Sequence, residues 1–350
     1  MNILYGVPSE GMGHATRSLV VIQYLISQKH QVKIVTSDRA YKFLYSHFGK
    51  QVIAIEGFHL AYKKAEVSIG KTILLNFKNA PKQLIKNFIV YQSILSDFKP
   101  DVVISDFESF SHLFAKANHI PLISIDNMQI LNRATLDIHI PQNEKSNYLL
   151  AKNIVKAKLT AANHYFISSF FYPPLRKNKS SYIAPIIREQ IMHAKTKFLN
   201  HIVVYQTSAT QTDMIDILNQ IPNENFIVYG FNKDEVHGNV TLKSFSEIEF
   251  IQHFSTAKAV IANGGFSFIS EAVYLKKPIC CVPIKNQFEQ FVNASYVDKL
   301  KYGRQFSEFN SDSIKSFLYD LPIFKKALSQ YQHDENKALF NALDHLEQYI

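Results

Sequence analysis

The chain has 350 residues, of which 47% are apolar and 19% are charged, and its basic residues exceed its acidic residues by nine at neutral pH. This profile excludes an intrinsically disordered protein, and the length favours two domains of ordinary size. No stretch has the length and apolar character of a transmembrane helix, and the opening residues lack the pattern of a secretory signal, so we expect a cytoplasmic protein.

The two cysteines, Cys280 and Cys281, are adjacent in an apolar run. On a strand their side chains would point to opposite faces, so they cannot form a disulfide with each other. No spacing of Cys and His residues fits a zinc site. We therefore expect neither a metal nor a resident cofactor, and no nucleic-acid partner.

Short apolar runs alternate with longer amphipathic segments through the first half of the chain. The predicted strands cover 2–6, 32–36, 52–55, 102–105 and 121–125, and the predicted helices cover 16–29, 39–48, 84–98 and 110–117. Continuous Val, Ile and Leu runs separated by helical patterns are typical of a parallel sheet with helices on both faces. This half is predicted to be an α/β domain over residues 1–180.

The alternation stops in a stretch rich in proline and lysine, which predicts a linker over 181–198, and then restarts. The second set of strands is predicted at 201–205, 225–229, 259–262 and 279–282, with helices at 213–219, 248–255, 267–275 and 288–300. This pattern predicts a second α/β domain over 199–325. The remaining residues have helical spacing and no strand, which predicts a helix over 326–350 that packs back on the first domain.

The sequence GVPSEGMGHATRS, residues 6–18, links the first predicted strand to the first predicted helix. A glycine-rich link at this place lies at the carboxyl edge of the sheet, where open α/β folds bind ligands. His14 adds a side chain of a type that titrates near neutral pH. The segment favours either a catalytic histidine or a polar residue that only solvates the first helical turn.

A dinucleotide-binding site is an alternative for this segment. Gly11 and Gly13 open a helix after a strand, and Asp38 stands where a ribose-binding acid would be. However, Thr16 occupies the third glycine position, and the loop is longer than the tight turn of that motif. An NAD-dependent oxidoreductase therefore remains one alternative function.

A second motif, ANGGFSFISEAVYLKKPICCVPIKNQFEQFVNA, covers residues 262–294. A strand is predicted to end at Asn263, Gly264 and Gly265, and a helix to begin near Ser267. The free N–H groups and the positive end of that helix can hold a diphosphate without a metal ion. Glu271, within two turns of the helix start, is placed to accept hydrogen bonds from the two hydroxyls of a ribose.

This second motif resembles the donor-binding signature of GT-B glycosyltransferases, the two-lobed group that includes MurG-type and UDP-glucuronosyl-type enzymes. The matching residues are Gly264, Gly265, Ser267, Glu271, Ala272, Lys277, Pro278, Pro283, Glu289, Gln290, Asn293 and Ala294. The opening segment is similar to an uncharacterised bacterial and archaeal branch of MurG-like proteins with GxGHxxRS sequences. The resemblance spans both domains and implies two Rossmann-like domains that face a cleft.

The resemblance also implies residue roles on the donor side. The implied donor-binding residues are Thr207, Ser208, Phe245, Asn263, Gly264, Gly265, Ser267, Glu271, Glu289 and Gln290. Among them Glu271 would hold the ribose, Glu289 and Gln290 would meet the sugar hydroxyls, and the backbone near Phe245 would contact the base. Thr207 and Ser208 would clamp the second phosphate, although their loop lacks the usual glycine-rich form.

On the acceptor side the resemblance implies that His14 is the general base of an inverting, metal-independent transfer. The acceptor-side loop comprises Gly11, Met12, Gly13 and Arg17. Asp106 follows the predicted strand DVVIS and reaches the same sheet edge, so it is a candidate to orient the imidazole or to bind the acceptor. Its alternative role is to cap the helix that begins near Ser109.

The expected donor is a UDP-sugar, and the expected acceptor is lipid-linked or belongs to the cell envelope. A run of cations supports a peripheral contact with an anionic membrane on its inner face, or else forms a solvated helix surface. These cations are Lys63, Lys64, Lys71, Lys78, Lys82 and Lys86. A UDP-sugar 2-epimerase of the same fold and a non-enzymatic sugar-nucleotide sensor are further alternatives.

Overall fold

The structure is a computed structural model, and it describes residues 1–9, 11–57, 62–63, 66–67, 85–206 and 213–350. The chain divides into two compact units. The first comprises Met1–Tyr62, Val67–Ile186 and Asp334–Ile350, and the second comprises Lys63–Glu66 and Ile187–His333.

The first unit is built on a seven-stranded sheet. Its strands are β1 (Asn2–Gly6), β2 (Gln31–Thr36), β3 (Val52–Ala54), β6 (Val102–Ser105), β7 (Leu122–Asp126), β8 (His164–Ser168) and β9 (Ser180–Ile183). The order is β3-β2-β1-β6-β7-β8-β9, and every neighbouring pair is parallel. Two further strands, β4 (Tyr62–Lys63) and β5 (Glu66–Val67), form a separate two-stranded sheet.

Helices connect the parallel strands of the first unit. They are α1 (Met12–Ser27), α2 (Asp38–Phe48), α3 (85–97), α4 (Ser109–Ala117), α5 (Ile130–Arg133) and α6 (Lys145–Lys158), and the chain ends with α14 (Lys337–Asp344). The core contains alternate residues of β1, such as Ile3 and Tyr5, and the inner face of α1, such as Ile22 and Leu25. Because all seven strands run in one direction, their carboxyl ends share one edge, where Gly6 pairs with Ser105.

The second unit has the same architecture. Its strands are β10 (Ile202–Tyr205), β11 (Phe226–Tyr229), β12 (Glu235–His237), β13 (Val240–Lys243), β14 (Ala259–Ala262), β15 (Ile279–Cys281) and β16 (Gly303–Gln305). The order is β12-β13-β11-β10-β14-β15-β16, and only the β12–β13 hairpin is antiparallel. Its helices are α7 (Glu189–Met192), α8 (Met214–Asn219), α9 (Glu247–Thr256), α10 (Phe266–Tyr274), α11 (Phe288–Lys299), α12 (Ser311–Tyr319) and α13 (Leu321–Ser329).

The predicted fold class, two α/β units with parallel sheets, is confirmed, and two details of the prediction change. The segment 181–198 is not a simple linker, because it holds most of β9 and all of α7. The predicted helix over 326–350 is interrupted, because α13 ends at Ser329 and α14 begins at Lys337. Glu335 and Asn336, between them, have φ angles of 56° and 66°, which a continuous right-handed helix does not accept.

Candidate active site

The glycine-rich segment of the first unit ends directly in a helix. Gly11 has a φ of 81°, in the region that favours glycine, and α1 begins at the next residue, Met12. The helix therefore starts four residues earlier than the spacing predicted, and Gly13 and His14 belong to its first turn. The side chain of His14 is 19% exposed. This geometry places the imidazole at the carboxyl edge of the sheet.

His14 is the most exposed member of a polar cluster at this edge. We call His14, Arg17, Asp106 and Asn127 the first-unit cluster. Nδ1 of His14 lies 3.1 Å from Oδ1 of Asp106. The guanidinium of Arg17 donates from Nε to Oδ2 of Asp106 at 2.8 Å and from Nη2 to Oδ1. It also donates from Nη1 to Oδ1 of Asn127 at 2.6 Å. Ser18 donates to Oδ2 of Asp106 at 3.1 Å. The carboxylate is thus held from several directions.

The cluster keeps Asp106 ionised although its side chain is buried. Burial alone raises the pKa of the Asp106 carboxyl, but the positive charge of Arg17 and the proximity of His14 hold that pKa below its ordinary value. The neighbouring carboxyl behaves differently. Burial and the charge of Asp106 raise the pKa of Asp126 to about 6. Asp106 therefore keeps its charge as the pH falls through about 6, whereas Asp126 becomes protonated.

Nδ1 of His14 has two neighbours that require opposite tautomers. With a proton on Nδ1, the ring donates to Asp106 and Nε2 keeps a lone pair. With the proton on Nε2, the Nδ1 lone pair instead accepts from Nη2 of Arg17, which lies 2.7 Å away. The first tautomer can act as a base through Nε2 and the second cannot.

The following helix has its own cap, so Asp106 is not needed there. Glu108 precedes α4, and its carboxylate accepts hydrogen bonds from the backbone N–H groups of Phe110 at 2.7 Å and Ser111 at 2.6 Å. The alternative prediction, that Asp106 caps this helix, is wrong, because Glu108 is the N-cap.

In the second unit, two glycines lead from β14 into α10. Gly264 has a φ of 101°, and a Cβ there would lie 2.8 Å from the backbone oxygen of Gln290. Asn293 donates from Nδ2 to the carbonyl of Gly264 at 3.0 Å. Gly265 is the N-cap of α10, and a Cβ on it would meet no described atom within 4 Å. The tip of this helix thus has a tightly held glycine followed by one with open space beside it.

Glu271, on α10, is bound by Arg188, which belongs to neither sequence motif. Arg188 donates from Nε to Oε1 of Glu271 at 2.7 Å and from Nη2 to Oε2 at 3.1 Å. Its Nη1 donates to Glu247 at 2.5 Å. Only 10% of the Glu271 side chain is exposed, whereas 47% of the Glu247 side chain is. We call these three residues the arginine bridge.

The other predicted donor residues lie around the same helix. Gln290 accepts at Oε1 from the N–H of Ile284 at 3.0 Å and so fixes the loop before α11. Glu289 is in the first turn of α11. Asn263 donates to the carbonyl of Val282 at 3.3 Å.

Aromatic rings surround the carboxyl end of β10 and β11. Phe245 is 59% exposed, and its ring centroid lies 5.6 Å from that of Phe250. Tyr205, the last residue of β10, stacks on Phe268 of α10 at 5.1 Å. The spacing of aromatic residues in the sequence does not predict that these rings meet, because they belong to separate elements.

Several predicted residues lie outside the described part of the chain. They are Thr207, Ser208, Lys64, Lys71, Lys78 and Lys82. Only the backbone of Lys63 is described, whereas Lys86 forms an ion pair with Glu56 at 2.6 Å. Among the described residues, no group of three His, Cys, Asp or Glu side chains could hold a metal ion, and no helix is long and apolar enough to cross a bilayer.

Comparison with known proteins supports the resemblance. An uncharacterized glycosyltransferase of Methanosarcina acetivorans is 24% identical over 343 residues, covering 88% of this chain and 86% of the relative. The glycotransferase of kitacinnamycin has a TM-score of 0.69 at 15% identity, with 99% of this chain and 98% of that chain covered. The spinosyn rhamnosyltransferase SpnG, solved with thymidine diphosphate, has a TM-score of 0.67 at 13% identity. The match covers 99% of this chain and 100% of that chain.

These neighbours share the GT-B fold, which this chain therefore has. The model of the family described as glycosyl transferase family 1 matches residues 1–322. The match includes both the first-unit cluster and the arginine bridge. The chain belongs to glycosyl transferase family 1 and is a glycosyltransferase.

Proposed function

We propose that this glycosyltransferase moves a sugar from a UDP-sugar to an acceptor hydroxyl, with inversion at the anomeric carbon and without a metal ion. The observation that carries the proposal is the contact between His14 and Asp106. A buried carboxylate that stays ionised lies 3.1 Å from Nδ1 of a partly exposed imidazole. That pairing is suited to general-base catalysis.

In the proposed reaction, the Nδ1–H group of His14 keeps its proton and donates a hydrogen bond to the Asp106 carboxylate, so the Nε2 lone pair is available to the acceptor. Nε2 takes the proton of the acceptor hydroxyl as the oxygen bonds to the anomeric carbon. The bond from that carbon to the diphosphate oxygen breaks, and its electron pair leaves with the nucleoside diphosphate. Asp106 stabilises the imidazolium that forms. Attack opposite the leaving group inverts the anomeric centre.

The donor is proposed to bind at the tip of α10. The first-turn N–H groups and the positive end of the helix dipole favour the diphosphate, and the open space beside Gly265 gives it room. Glu271, held by Arg188, would accept hydrogen bonds from the ribose. Because a deoxyribose offers one hydroxyl fewer, this arrangement favours UDP over the thymidine diphosphate found with SpnG.

The acceptor is proposed to be lipid-linked or part of the cell envelope, and the protein to work at the cytoplasmic face of a membrane. The net charge of +9 is compatible with an anionic surface. The membrane contact predicted for Lys63–Lys86 falls mostly outside the described residues and stays a prediction.

Two variants test the proposal. With excess EDTA present, calorimetry should detect UDP binding to the wild type and weaker binding to Glu271→Gln. His14→Ala should retain UDP binding, while UDP release from UDP-sugars, with a membrane lipid extract as acceptor source, should fall about 10²- to 10⁴-fold. UDP binding that requires a divalent metal, or unchanged turnover in His14→Ala, would contradict the proposal.

The epimerase, sensor and oxidoreductase alternatives gain no support from the family match or from the relatives described above. Incubation with UDP-N-acetylglucosamine alone distinguishes the epimerase directly. A transferase without an acceptor should leave the configuration at carbon 2 unchanged.

A further inference from the structure

Helix α6 of the first unit has an unusual distribution of apolar residues. Its sequence is KSNYLLAKNIVKAK, and Val155 is its one buried residue. Leu149, Leu150 and Ile154 are 56%, 40% and 50% exposed. A helix that covers a core normally buries such side chains. Here, the larger part of the aliphatic surface of the helix faces outward.

The exposed aliphatic residues share one side of α6. At about 100° per residue, Leu149, Leu150, Ile154 and Ala157 fall within an arc of roughly 140°, opposite Val155. The residues between them on this side are uncharged. We call Leu149, Leu150, Ile154 and Ala157 the α6 stripe. The uncharged polar residues Ser146 and Asn153 lie on the same side, so the α6 stripe is an exposed surface of mainly apolar side chains without a charge.

Cations border the α6 stripe, and the helix contains no acidic residue. Lys145, Lys152 and Lys156 lie along one flank on the same helical projection, and Lys158 lies on the other. An apolar stripe flanked by lysines is typical of helices that lie in a membrane interface.

Two more cations, from the segment between β8 and β9, contact the adjoining α5. Arg176 donates to the backbone oxygen of Asn132 at 2.7 Å, and Lys177 donates to its Oδ1 at 2.6 Å. Partial burial lowers the pKa of Lys177, and so do Arg133, Arg176, Lys156 and Lys152. Lys177 therefore lies among other positive charges next to α6.

We propose that α6 is a membrane-docking helix, with its stripe in the interface of an anionic bilayer and its lysines among the lipid head groups. Charge complementarity selects this occupant. Burying the stripe against a bilayer removes apolar surface from water, while each lysine gains from the negative surface potential. This surface is separate from the Lys63–Lys86 region.

The carboxyl end of α6 reaches the active-site edge within the first unit. Nζ of Lys158 lies 4.4 Å from the centroid of the Phe107 ring, and Phe107 directly follows Asp106. A bilayer along α6 would thus bring lipid-linked hydroxyls to the side of the unit that holds His14. This last step depends on the proposed function, whereas bilayer binding itself does not.

Vesicle sedimentation tests the docking helix without any activity measurement. The probes are vesicles of phosphatidylcholine alone and of equal parts phosphatidylcholine and phosphatidylglycerol. The full chain should bind the anionic vesicles, more weakly as salt rises, and should leave the neutral ones in large part unbound. A fall of about tenfold or more in the partition coefficient, the loss expected for three apolar side chains, should follow from the triple variant Leu149→Ser/Leu150→Ser/Ile154→Ser. The salt dependence of vesicle binding should disappear in the triple variant Lys145→Gln/Lys152→Gln/Lys156→Gln.

Matched controls lie in the second unit. Val236→Ser/Tyr319→Ser/Ile323→Ser changes three comparably exposed apolar residues, and Lys233→Gln/Lys301→Gln/Lys315→Gln changes three surface lysines. Both should bind like the wild type. Circular dichroism melting of every variant identifies misfolding. Equal binding by the α6 variants and the wild type would overturn the proposal. So would a dimer in sedimentation velocity that the serine variant converts to monomer while vesicle binding is unchanged.

Discussion

Arg17 is a buried cation that binds one carboxylate with two of its nitrogens. Its side chain is 4% exposed, and the Asp106 carboxylate that it contacts is 1% exposed. Burying both charges is costly, and the pair is tolerated because each charge compensates the other. The family resemblance implies that Arg17 belongs to the acceptor-side loop. Because Arg17 is buried, its main role within the first unit is to bind and orient the Asp106 carboxylate.

Removing Arg17 should therefore destabilise the protein through the carboxylate left behind. Arg17→Gln is expected to lower the free energy of unfolding by about 3–5 kcal/mol. Adding Asp106→Asn to that variant should restore a large part of the loss, because no unpaired charge then remains. Urea denaturation of the two single variants and the double variant measures the coupling. Independent, additive effects would show that the two side chains do not depend on each other.

Arg188 has the corresponding role for Glu271. Its two hydrogen bonds restrict the rotation of a carboxylate that must meet a ribose under the proposed function. Arg188→Gln should weaken UDP binding about tenfold and reduce the preference for UDP over 2′-deoxy-UDP. Glu247→Gln, which changes the exposed arm of the bridge, should have a much smaller effect. Calorimetric titration with both nucleotides measures the ratio, and equal losses in the two variants would contradict this assignment.

Motif residues and their supporting partners differ in how far sequence could predict them. The glycines that lead into α10 and the position of Glu271 on that helix follow from local spacing. Arg188 lies 83 residues before Glu271 and belongs to no recognisable motif. Its role depends on a long-range contact, and a single sequence carries no signal for such contacts.

At the scale of elements, the entry to α10 depends on one glycine more than on the other. Gly264 combines a φ of 101° with a Cβ position that collides with the backbone of Gln290. Gly265 has a φ of −63°, which any residue accepts, and has free space. The two adjacent glycines thus have different physical reasons to be there.

Gly264→Ala should destabilise the protein by about 2 kcal/mol or more, because it introduces both backbone strain and a steric clash. Gly265→Ala is the matched control and should change the free energy of unfolding by no more than about 0.5 kcal/mol. Under the proposed function it should still weaken UDP binding, since the new methyl group enters the space proposed for the diphosphate. Thermal denaturation with and without UDP separates the two effects.

The carboxyl end of α10 leads to a buried lysine, Lys277. Its Nζ donates to the backbone oxygens of Lys197 and of Ala257, the latter at 2.8 Å, and lies 4.1 Å from the ring centroid of Phe198. No carboxylate is among these contacts. Burial, with a further contribution from Lys325, lowers the pKa of Lys277 to about 7.

This lysine should give the protein a pH-dependent stability. The folded state releases the proton near pH 7, whereas the unfolded state releases it near pH 10.4. Between these values the unfolded state binds more protons, so the free energy of unfolding should rise with pH, by at most about 1.4 kcal/mol per pH unit. Lys277→Met should flatten this slope between pH 7 and 9, and Lys315→Met, at an exposed site, should leave it unchanged. Denaturant unfolding across that range provides the measurement.

Two of the strands missed by sequence reasoning lack an apolar pattern of their own. β12, with the sequence EVH, is an edge strand with exposed residues, and β16, with the sequence GRQ, has no aliphatic run. Their pairing partners, β13 and β15, supply the hydrogen bonds. Strands that are stabilised by a neighbour, and not by their own apolar pattern, are invisible to periodicity. Most strands inside the two sheets were predicted to within a residue or two. However, β8, with the sequence HYFIS, and β13, with the sequence VTLK, were missed although each pairs with a strand on both sides.

At the scale of the whole molecule, the chain leaves the first unit and returns to it. The second unit's Ile187–His333 is an uninterrupted segment, and Asp334–Ile350 rejoins the first unit. Leu339, Ala342, Leu343 and Leu346 belong to the same core cluster as β1. Tyr24 of α1 stacks on Phe340 at 3.9 Å and donates to Asp344 at 2.7 Å. The first unit is therefore complete only after the second has been synthesised.

This arrangement predicts that a single change near the C-terminus destabilises the N-terminal half of the chain. Leu343 is 2% exposed, and Leu343→Ala should cost about 2–4 kcal/mol of unfolding free energy. Glu347→Ala, at an exposed position of the same segment, should cost no more than about 0.5 kcal/mol. Hydrogen exchange resolved by peptide identifies the unit affected. Faster exchange should appear in β1, α1 and β6, and β10 and β14 should keep their protection, because their core contains no residue of the returning segment. Loss of protection in the second unit alone would contradict the assignment of the C-terminal segment to the first.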